Sequence, residues 1–270
     1  MKELAQARKV PIIEDAAQAL GVKCGGQILG TFGVAGVFSL GRGKVLPAAG
    51  GGLIGTNDET LAKQCRQAIL TSGDAGSRDF GLISAMETAL MAIFLRPRLY
   101  WIPAAMPFLK LGASIYDPTF PIRHMSLFQK TLAARLMANL EELASIRQVN
   151  AKRLRRALDE INHNQNFRII WPKEEAGEEG GFLRLPILFR EPGMRTKVLA
   201  ELERYGLGGS AGYPRALCDI PELRPHLMNP ENGFPVATSL SKQLITLPTH
   251  PWVSEHDCHQ IAEVLQRCAQ

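Results

Sequence analysis

The sequence has few cysteines and no cysteine motif. Its 270 residues include five cysteines, and no two of them form a C-x-x-C pair. An odd number without such a pair argues against a disulfide framework and favours reduced thiols in a cytoplasmic protein. The segment H-D-C-H at 256–259, with His250 nearby, has metal-binding residue types but not the spacing of a common zinc site. We therefore expect solvated polar residues there and no metal.

Long hydrophobic runs and concentrated positive charge are also missing. The most hydrophobic region, residues 88–112, is interrupted by arginines and prolines and lacks the roughly 18 uninterrupted apolar residues of a membrane span. We expect packed helices with a proline-bent connection there, and no stable membrane insertion. The net charge of +5 is scattered apart from K-R-L-R-R at 152–156. Because no aromatic residues interleave with this cluster, it predicts a solvated helix face rather than a nucleic-acid site.

Two common motifs are absent around Lys44, the lysine that follows the apolar run V-F-S-L. A P-loop would need glycine at position 38 and serine or threonine at position 45, where the chain has Phe38 and Val45. A nucleophile elbow would need glycine two residues before Ser39, where the chain has Val37. The usual signatures of phosphate hydrolysis and ester hydrolysis are therefore missing.

The spacing of apolar residues predicts an α/β arrangement in the first half of the chain. The tail of a helix comes first, and strand-like runs follow at 9–15, 34–40 and 52–56. Residues 57–70 have an Asn/Asp cap, early acids and an apolar stripe, which predict a helix. Strands that alternate with helices predict a mostly parallel sheet.

The second half predicts a small α+β domain. Apolar residues recur at helical spacing from 125 to about 161, which predicts a long connecting helix between two domains. Strands are expected at 167–171 and 181–189 and a helix at 193–206. Ser254 opens a terminal helix with the spacing of a capping box.

Two polar residues lie where the predicted strands of the first half end. Asp15 closes one strand, and Lys44 follows another. In a parallel sheet the carboxyl ends of the strands line the ligand crevice. An amine and a carboxylate placed apart suit pyridoxal phosphate (PLP), which needs an amine for its aldehyde and an anion for its ring nitrogen. Structural aspartates and lysines are far commoner, so the pattern alone leaves both interpretations open.

The sequence of residues 12–58 resembles that of the DegT–StrS family of PLP-dependent sugar aminotransferases. The matching pieces are E-D-A-A-Q-A at 14–19, G-T-F-G at 30–33, the run from Ser39 to Lys44, and the glycines at 50–52. The resemblance resumes in H-M-S-L-F-Q, in G-Y-P and in L-P-T-H-P-W-V-S-E-H-D, and so covers nearly the whole chain. It implies a fold-type I, aspartate aminotransferase-like protein. The predicted domains are then 1–124, the C-terminal part of the PLP-binding large domain, and 125–270, the small domain.

The resemblance also implies roles for four residues. Lys44 matches the lysine that binds PLP covalently and later moves a proton, and Asp15 matches the partner of the pyridine nitrogen. Gln18 matches the residue that lies against the cofactor ring, and Ser39 matches a hydroxyl on the cofactor phosphate. The implied substrates are a nucleotide-linked keto sugar and an amino-acid donor, with glutamate expected. The implied setting is polysaccharide or amino-sugar biosynthesis by a cytoplasmic homodimer.

Elementary electrostatics agrees with the roles of Lys44 and Asp15. Only a neutral amine attacks an aldehyde, and an apolar strand end lowers the pKa of a lysine. A carboxylate beside the ring nitrogen, at about 4 Å and an effective dielectric near 20, is worth at most about 4 kcal/mol. The nitrogen would then stay protonated at neutral pH. The glycines at 50–52 are expected to let the backbone approach the bulky ligand.

The chain departs from the family pattern in two places. Family members carry a longer segment before the E-D-A-A-Q-A strand, so we expect this chain to hold only part of the large domain. Ile122 stands where the family has an asparagine that reaches a neighbouring subunit's cofactor, and Arg123 or His124 could substitute for it.

Two other functions stay open at this point. A sugar dehydratase that depends on PLP or on pyridoxamine phosphate is one; such relatives carry histidine in place of the lysine, so Lys44 argues against it. The other is a non-catalytic or truncated relative that regulates or binds a partner.

Overall fold

A computed structural model describes residues 2–72, 78–94, 99, 106, 124–163, 169–173, 178–179, 182–191, 193–213, 215–229 and 233–269. Position 122 and most of the predicted proline-bent connection lie outside the described residues. The helices are α1 Lys2–Ala7, α2 Glu59–Ser72, α3 Arg78–Phe94, α4 Leu127–Met137, α5 Leu140–His163, α6 Met194–Arg204, α7 Pro235–Gln243 and α8 Glu255–Ala269. The strands are β1 Ile13–Asp15, β2 Lys23–Cys24, β3 Gln27–Ile28, β4 Ala35–Ser39, β5 Gly52–Gly55, β6 Ile169–Ile170, β7 Glu178–Glu179, β8 Arg184–Phe189 and β9 Leu244–Pro248.

The chain divides into two compact units. Unit 1 contains the described residues of Met1–Arg96, Thr119–Ile146 and Glu174–Leu183. Unit 2 contains those of Pro97–Pro118, Arg147–Lys173 and Arg184–Gln270. A domain boundary was predicted after residue 124. From Thr119 to Ile146, inside α5, the chain stays in unit 1, so the predicted boundary stays a prediction. Among the described helices none is both long and apolar enough to cross a membrane.

Unit 1 is built on a three-stranded sheet in the order β1-β4-β5. β1 and β4 are parallel, with Asp15 opposite Val37, whereas β5 returns antiparallel to β4. The expectation of a mostly parallel sheet therefore holds for one of these two ladders. The physical reason is the connection: β4 reaches β5 through a loop without a crossover, and a parallel pair requires a crossover.

The strand predicted at 9–15 is shorter than expected. β1 covers Ile13–Asp15 alone. Lys9 has a positive φ of 52°, and Pro11 cannot donate a ladder hydrogen bond, so regular pairing begins after both. The short hairpin of β2 and β3 was not predicted, although its turn is Gly25-Gly26, a pair typical of two-residue hairpins.

One face of the unit 1 sheet packs into a hydrophobic core. Phe38, Leu40, Leu46 and Ala48 are buried in it together with Ala133 of α4. Successive strand residues point to opposite faces. Val37 therefore lies on the other face and is 40% exposed, and its cross-strand neighbours are exposed as well. The core thus holds the end of β4 and the loop that follows it.

The long helix predicted from 125 to 161 is two helices. α4 ends at Met137 and α5 begins at Leu140. Asn139, a residue type favoured at helix N-termini, accepts the N–H of Leu143 through its carbonyl at 3.0 Å. Apolar spacing continues across the break, so periodicity alone could not reveal it.

Unit 2 has an antiparallel sheet in the order β6-β8-β9; α6 contacts β8 and β9, and α8 packs against α6. Ile187, Ile245 and Leu265 are fully buried there. The predicted terminal helix and its capping box are confirmed: Ser254 Oγ accepts the N–H of Asp257, and Asp257 Oδ2 accepts the N–H of Ser254. The α+β character expected of this half of the chain is present.

Candidate active site

The carboxyl ends of β1 and β4 meet at one edge of the unit 1 sheet. Asp15 lies opposite Val37, and the N–H of Ala16 donates to the carbonyl of Val37 at 2.9 Å. Asp15 is exposed, and its Oδ1 accepts the N–H of Ala17 at 3.1 Å. Ser39, the last residue of β4, lies at the same edge. The parallel register therefore brings two of the four predicted site residues to one edge.

Lys44 lies in the loop after β4, five residues beyond the strand end. Its side chain is half-buried, and its backbone N–H donates to the carbonyl of Gly41 at 3.2 Å. Burial lowers the pKa of Lys44, and the carboxylate of Asp15 opposes this shift by raising it. Burial is the larger effect, so the amine loses its proton more readily than a lysine in water. The charge of Asp15 therefore acts on the amine of Lys44.

The loop that carries Lys44 is closed at its base by backbone hydrogen bonds. The carbonyl of Leu40 accepts the N–H of Ala48 at 3.0 Å and that of Gly50 at 3.3 Å, while its own N–H donates to the carbonyl of Gly51 at 3.0 Å. Leu40, Leu46 and Ala48 are fully buried. The loop is thus anchored in the core on both sides of Lys44.

Two of the glycines at 50–52 have a structural explanation besides the predicted approach to a ligand. Gly50 and Gly51 have φ angles of 104° and 88°, which only glycine adopts without strain. A Cβ on Gly51 would lie 2.7 Å from Cγ of Met125, so packing also requires glycine there. Ala49 has a φ of 59°, a conformation that costs about 1–2 kcal/mol for a residue with a side chain. Backbone conformation and packing explain Gly50 and Gly51, and the approach of this backbone to a ligand stays a prediction.

Ser39 and Gln18 complete the predicted set. Ser39 Oγ is half-buried and accepts the N–H of Gly41 at 3.2 Å, which leaves its O–H as a donor within the described structure. Gln18 lies in the turn after β1 and is exposed. Their assigned contacts with the cofactor phosphate and ring stay predictions.

Glu14 is a structural residue of the site that the sequence analysis treated only as part of a motif. Its two carboxylate oxygens accept the N–H groups of Gly30 and Gly33, each at 2.7 Å. A Cβ on Gly30 would lie 2.4 Å from the Phe38 ring, so the turn must approach the strand closely. Glu14 therefore fixes the G-T-F-G turn against β1 beside Asp15. The sequence did contain a signal for this role: an acidic residue directly before Asp15, followed downstream by a glycine-containing turn.

Gln129 is a second residue that the sequence analysis missed. It is 3% exposed, and its Nε2 donates to the carbonyl of Ala49 at 2.9 Å. The same side chain forms a capping box with Ser126 at the start of α4. A serine followed three residues later by glutamine is a recognisable helix start, but the partner eighty residues away could not be read from it.

The residues of H-D-C-H at 256–259 belong to unit 2. Asp257 caps α8, Cys258 is buried, and His256 and His259 are exposed. Across the described ranges, no group of three or more His, Cys, Asp or Glu side chains could hold a metal ion. His124 is half-buried in unit 1, whereas positions 122 and 123 lie outside the described residues.

Comparisons with known proteins agree with the fold and the motifs. The sequence model of the DegT/DnrJ/EryC1/StrS aminotransferase family matches residues 1–106 and 121–266. A UDP-N-acetyl-3-dehydro-alpha-D-glucosamine 3-aminotransferase of Acidithiobacillus ferrooxidans is 26% identical over 98% of this chain, and a pleiotropic regulatory protein of Geobacillus stearothermophilus is 26% identical over 96%.

Solved structures show the same fold. A DegT DnrJ EryC1 StrS aminotransferase from Brucella abortus superimposes with a TM-score of 0.69 over 99% of the chain, at 24% identity. The chain covers 59% of that structure and 58% of each of the two relatives, less than two thirds of their length. The fold-type I class is confirmed. Because the family model matches most of the sequence, the chain belongs to the DegT/DnrJ/EryC1/StrS aminotransferase family.

Proposed function

We propose that the protein containing this chain is a PLP-dependent aminotransferase that acts on a nucleotide-linked keto sugar. The observation that carries the proposal is a half-buried lysine, Lys44, in the loop that follows β4, with Asp15 and Ser39 at the carboxyl ends of β1 and β4, in a member of this family. The relative from Acidithiobacillus ferrooxidans is named for a nucleotide-linked dehydro sugar, which supports the substrate class. Glutamate is the expected amino donor.

The chemical properties of the side chains at this site suit PLP. PLP supplies an aldehyde, a ring that accepts electrons and a phosphate when it is bound. Lys44 offers an amine whose pKa burial has lowered, so a larger fraction is neutral and reactive. Asp15 offers an exposed carboxylate that can hold a proton at a ring nitrogen. Ser39 offers an O–H donor for a phosphate oxygen.

Lys44 and Asp15 would divide the proton chemistry between them. The neutral amine of Lys44 accepts a proton and returns it, which requires a pKa near the working pH. Asp15 would hold the proton of the ring nitrogen when PLP is bound. Gln18, exposed in the turn after β1, would lie against the ring and restrict its orientation. These roles are part of the proposal.

The proposal includes a homodimer and a cytoplasmic location. The five cysteines carry no disulfide, which suits a reducing compartment. Sedimentation of the PLP-treated protein at several concentrations tests the dimer. A monomer at all concentrations would remove this part and leave the chemistry of Lys44 untouched.

The test of the reaction is its first half, which needs no sugar. The protein is incubated with PLP and each of a panel of amino acids, and release of the matching 2-keto acid is measured. We expect stoichiometric 2-oxoglutarate from glutamate with the wild type and none with Lys44→Arg. Lys63→Arg, which changes an exposed lysine of α2, should behave as the wild type. No keto acid from any amino acid in a PLP-loaded protein would contradict the proposal.

A regulatory role is the second candidate. The Geobacillus stearothermophilus relative, similar over 96% of this chain, is named a pleiotropic regulatory protein. Such a role does not require a lysine with a lowered pKa beside a carboxylate. Keto-acid release that depends on Lys44 would therefore favour the enzyme.

A further inference from the structure

Gln129 links the start of α4 to the loop that carries Lys44. Its Oε1 accepts the N–H of Ser126 at 2.9 Å, and its Nε2 donates to the carbonyl of Ala49 at 2.9 Å. Because the N–H of Ser126 must face an acceptor, the orientation of the amide is fixed and its NH2 group is aimed at Ala49. The side chain is 3% exposed, so water does not compete for these bonds.

Ala49 is the residue of this loop that most needs support. Its φ of 59° is unusual for a residue with a side chain, and such conformations persist only where their surroundings hold them. The N–H groups of Ala48 and Gly50, on either side, donate to the carbonyl of Leu40. Gln129 holds the carbonyl between them. The strained turn is therefore fixed from the sheet and from α4.

We propose that Gln129 is a positioning residue for Lys44: by holding the carbonyl of Ala49, it fixes the loop 41–51 that presents the amine at the carboxyl edge of the sheet. The inference deepens the proposed function of Lys44 and rests on it. The ion pair of Arg42 with Glu87 at 3.2 Å also links this loop to another element, but both of those side chains are largely exposed. Exposed pairs of this kind restrain a loop weakly, so the buried amide is the stronger of these two links and adds to the backbone hydrogen bonds with Leu40.

The competing explanation is that Gln129 only caps α4. Glutamate serves a capping box as well as glutamine does. Gln129→Glu therefore keeps an acceptor for Ser126 and loses the donor to Ala49, since an ionised carboxylate cannot donate. Ser126→Ala does the reverse: it removes the serine oxygen that caps α4 and leaves the bond between Gln129 and Ala49. The two variants separate loop positioning from helix capping.

The test uses the full 270-residue chain without cofactor. Hydrogen exchange of residues 44–51, measured at about pH 8.5 to favour the ionised form of the introduced carboxyl, reports the loop. The pH profile of Lys44 acylation, followed by peptide mass spectrometry, reports its amine. With Gln129→Glu we expect about two- to tenfold faster exchange of the Ala48 and Gly50 amides. The midpoint of the Lys44 profile should move up towards that of an ordinary lysine, because a released loop gives the amine to water while Asp15 is unchanged.

The controls decide between the explanations. Ser126→Ala should speed exchange at the start of α4 and leave the loop and Lys44 unchanged. Adding Ala49→Gly to Gln129→Glu should restore part of the loop protection, because glycine adopts the positive φ without support. If Gln129→Glu does not fold, Gln129→Met is measured by the same two readouts.

An unchanged loop and Lys44 profile in the Gln129 variants would overturn the proposal, as would equal release of the loop by Ser126→Ala. Because no cofactor is present, a failure of Lys44 to bind PLP would leave the result for the loop standing. The two proposals can therefore fail separately.

Discussion

Asp15 lies directly opposite Val37 across the parallel ladder of β1 and β4. Val37 is two residues before Ser39, so this register places a carboxylate and a hydroxyl at one edge of the sheet, and the loop that carries Lys44 follows that end of β4. The carboxylate of Asp15 raises the pKa of Lys44, although burial outweighs it and lowers the pKa overall. Replacement of Asp15 should therefore change the pKa of Lys44.

The first prediction concerns the amine itself. Asp15→Asn removes the negative charge that raises the pKa of Lys44, so that pKa should fall below its value in the wild type. The pH profile of Lys44 acylation in the cofactor-free chain measures it. Ala17, whose N–H bonds to Asp15 Oδ1, keeps an acceptor from the amide oxygen. A midpoint that rises or stays unchanged would show that the two side chains are not coupled.

The second prediction concerns the reaction. Asp15→Asn should keep most cofactor binding, because the contacts proposed for Lys44 and Ser39 remain. Keto-acid release should fall by about tenfold or more, since a neutral amide cannot hold a proton at the ring nitrogen and one pKa unit corresponds to about 1.36 kcal/mol. Stopped-flow measurement of the half-reaction gives the rate. Turnover near that of the wild type would remove Asp15 from this role.

The third prediction tests the clamp made by Glu14. Glu14→Gln replaces one acceptor of the Gly30 and Gly33 N–H groups with an NH2 group, which should cost about 1–3 kcal/mol of stability because a part-buried donor loses its partner. Chemical denaturation followed by far-ultraviolet circular dichroism measures the loss. Glu3→Gln, on the exposed face of α1, is the control and should be close to the wild type. Equal stability of both variants would contradict the clamp.

The fourth prediction separates backbone strain from packing in the Lys44 loop. Gly43 and Gly51 both have positive φ, but a Cβ on Gly43 meets nothing within 4 Å, whereas one on Gly51 meets Met125 at 2.7 Å. Gly43→Ala should cost about 1 kcal/mol for the conformation alone. Gly51→Ala should cost about 1–3 kcal/mol more because the core is overpacked. Equal losses in the same denaturation experiment would show that Met125 moves aside freely.

The sequence allowed prediction of the elements that have strong local signals. The helix beginning near Asn57, the terminal helix capped by Ser254, and the strand ending at Ser39 follow from caps and apolar spacing, and all three are present. The four site residues could be proposed because the sequence around them resembles that of a known family. Periodicity could not show the break at Asn139, because helical spacing continues through it.

Contacts between distant parts of the chain could not be predicted in the same way. The bond between Gln129 and Ala49 joins residues that are far apart in sequence, and each has a sufficient local explanation. Glu14 likewise reaches a turn sixteen to nineteen residues away. The close packing of Met125 against Gly51 is another such contact, and the sequence of the glycines at 50–52 gave no sign of it.

The most direct test of the account is to find which lysine binds the cofactor. The protein is treated with PLP, reduced with borohydride and digested, and the pyridoxyl group is located by peptide mass spectrometry. The account predicts one label on Lys44, retained in Lys63→Arg and lost in Lys44→Arg. A label that stays in Lys44→Arg, or a wild-type protein that holds PLP with Lys44 unmodified, would contradict it.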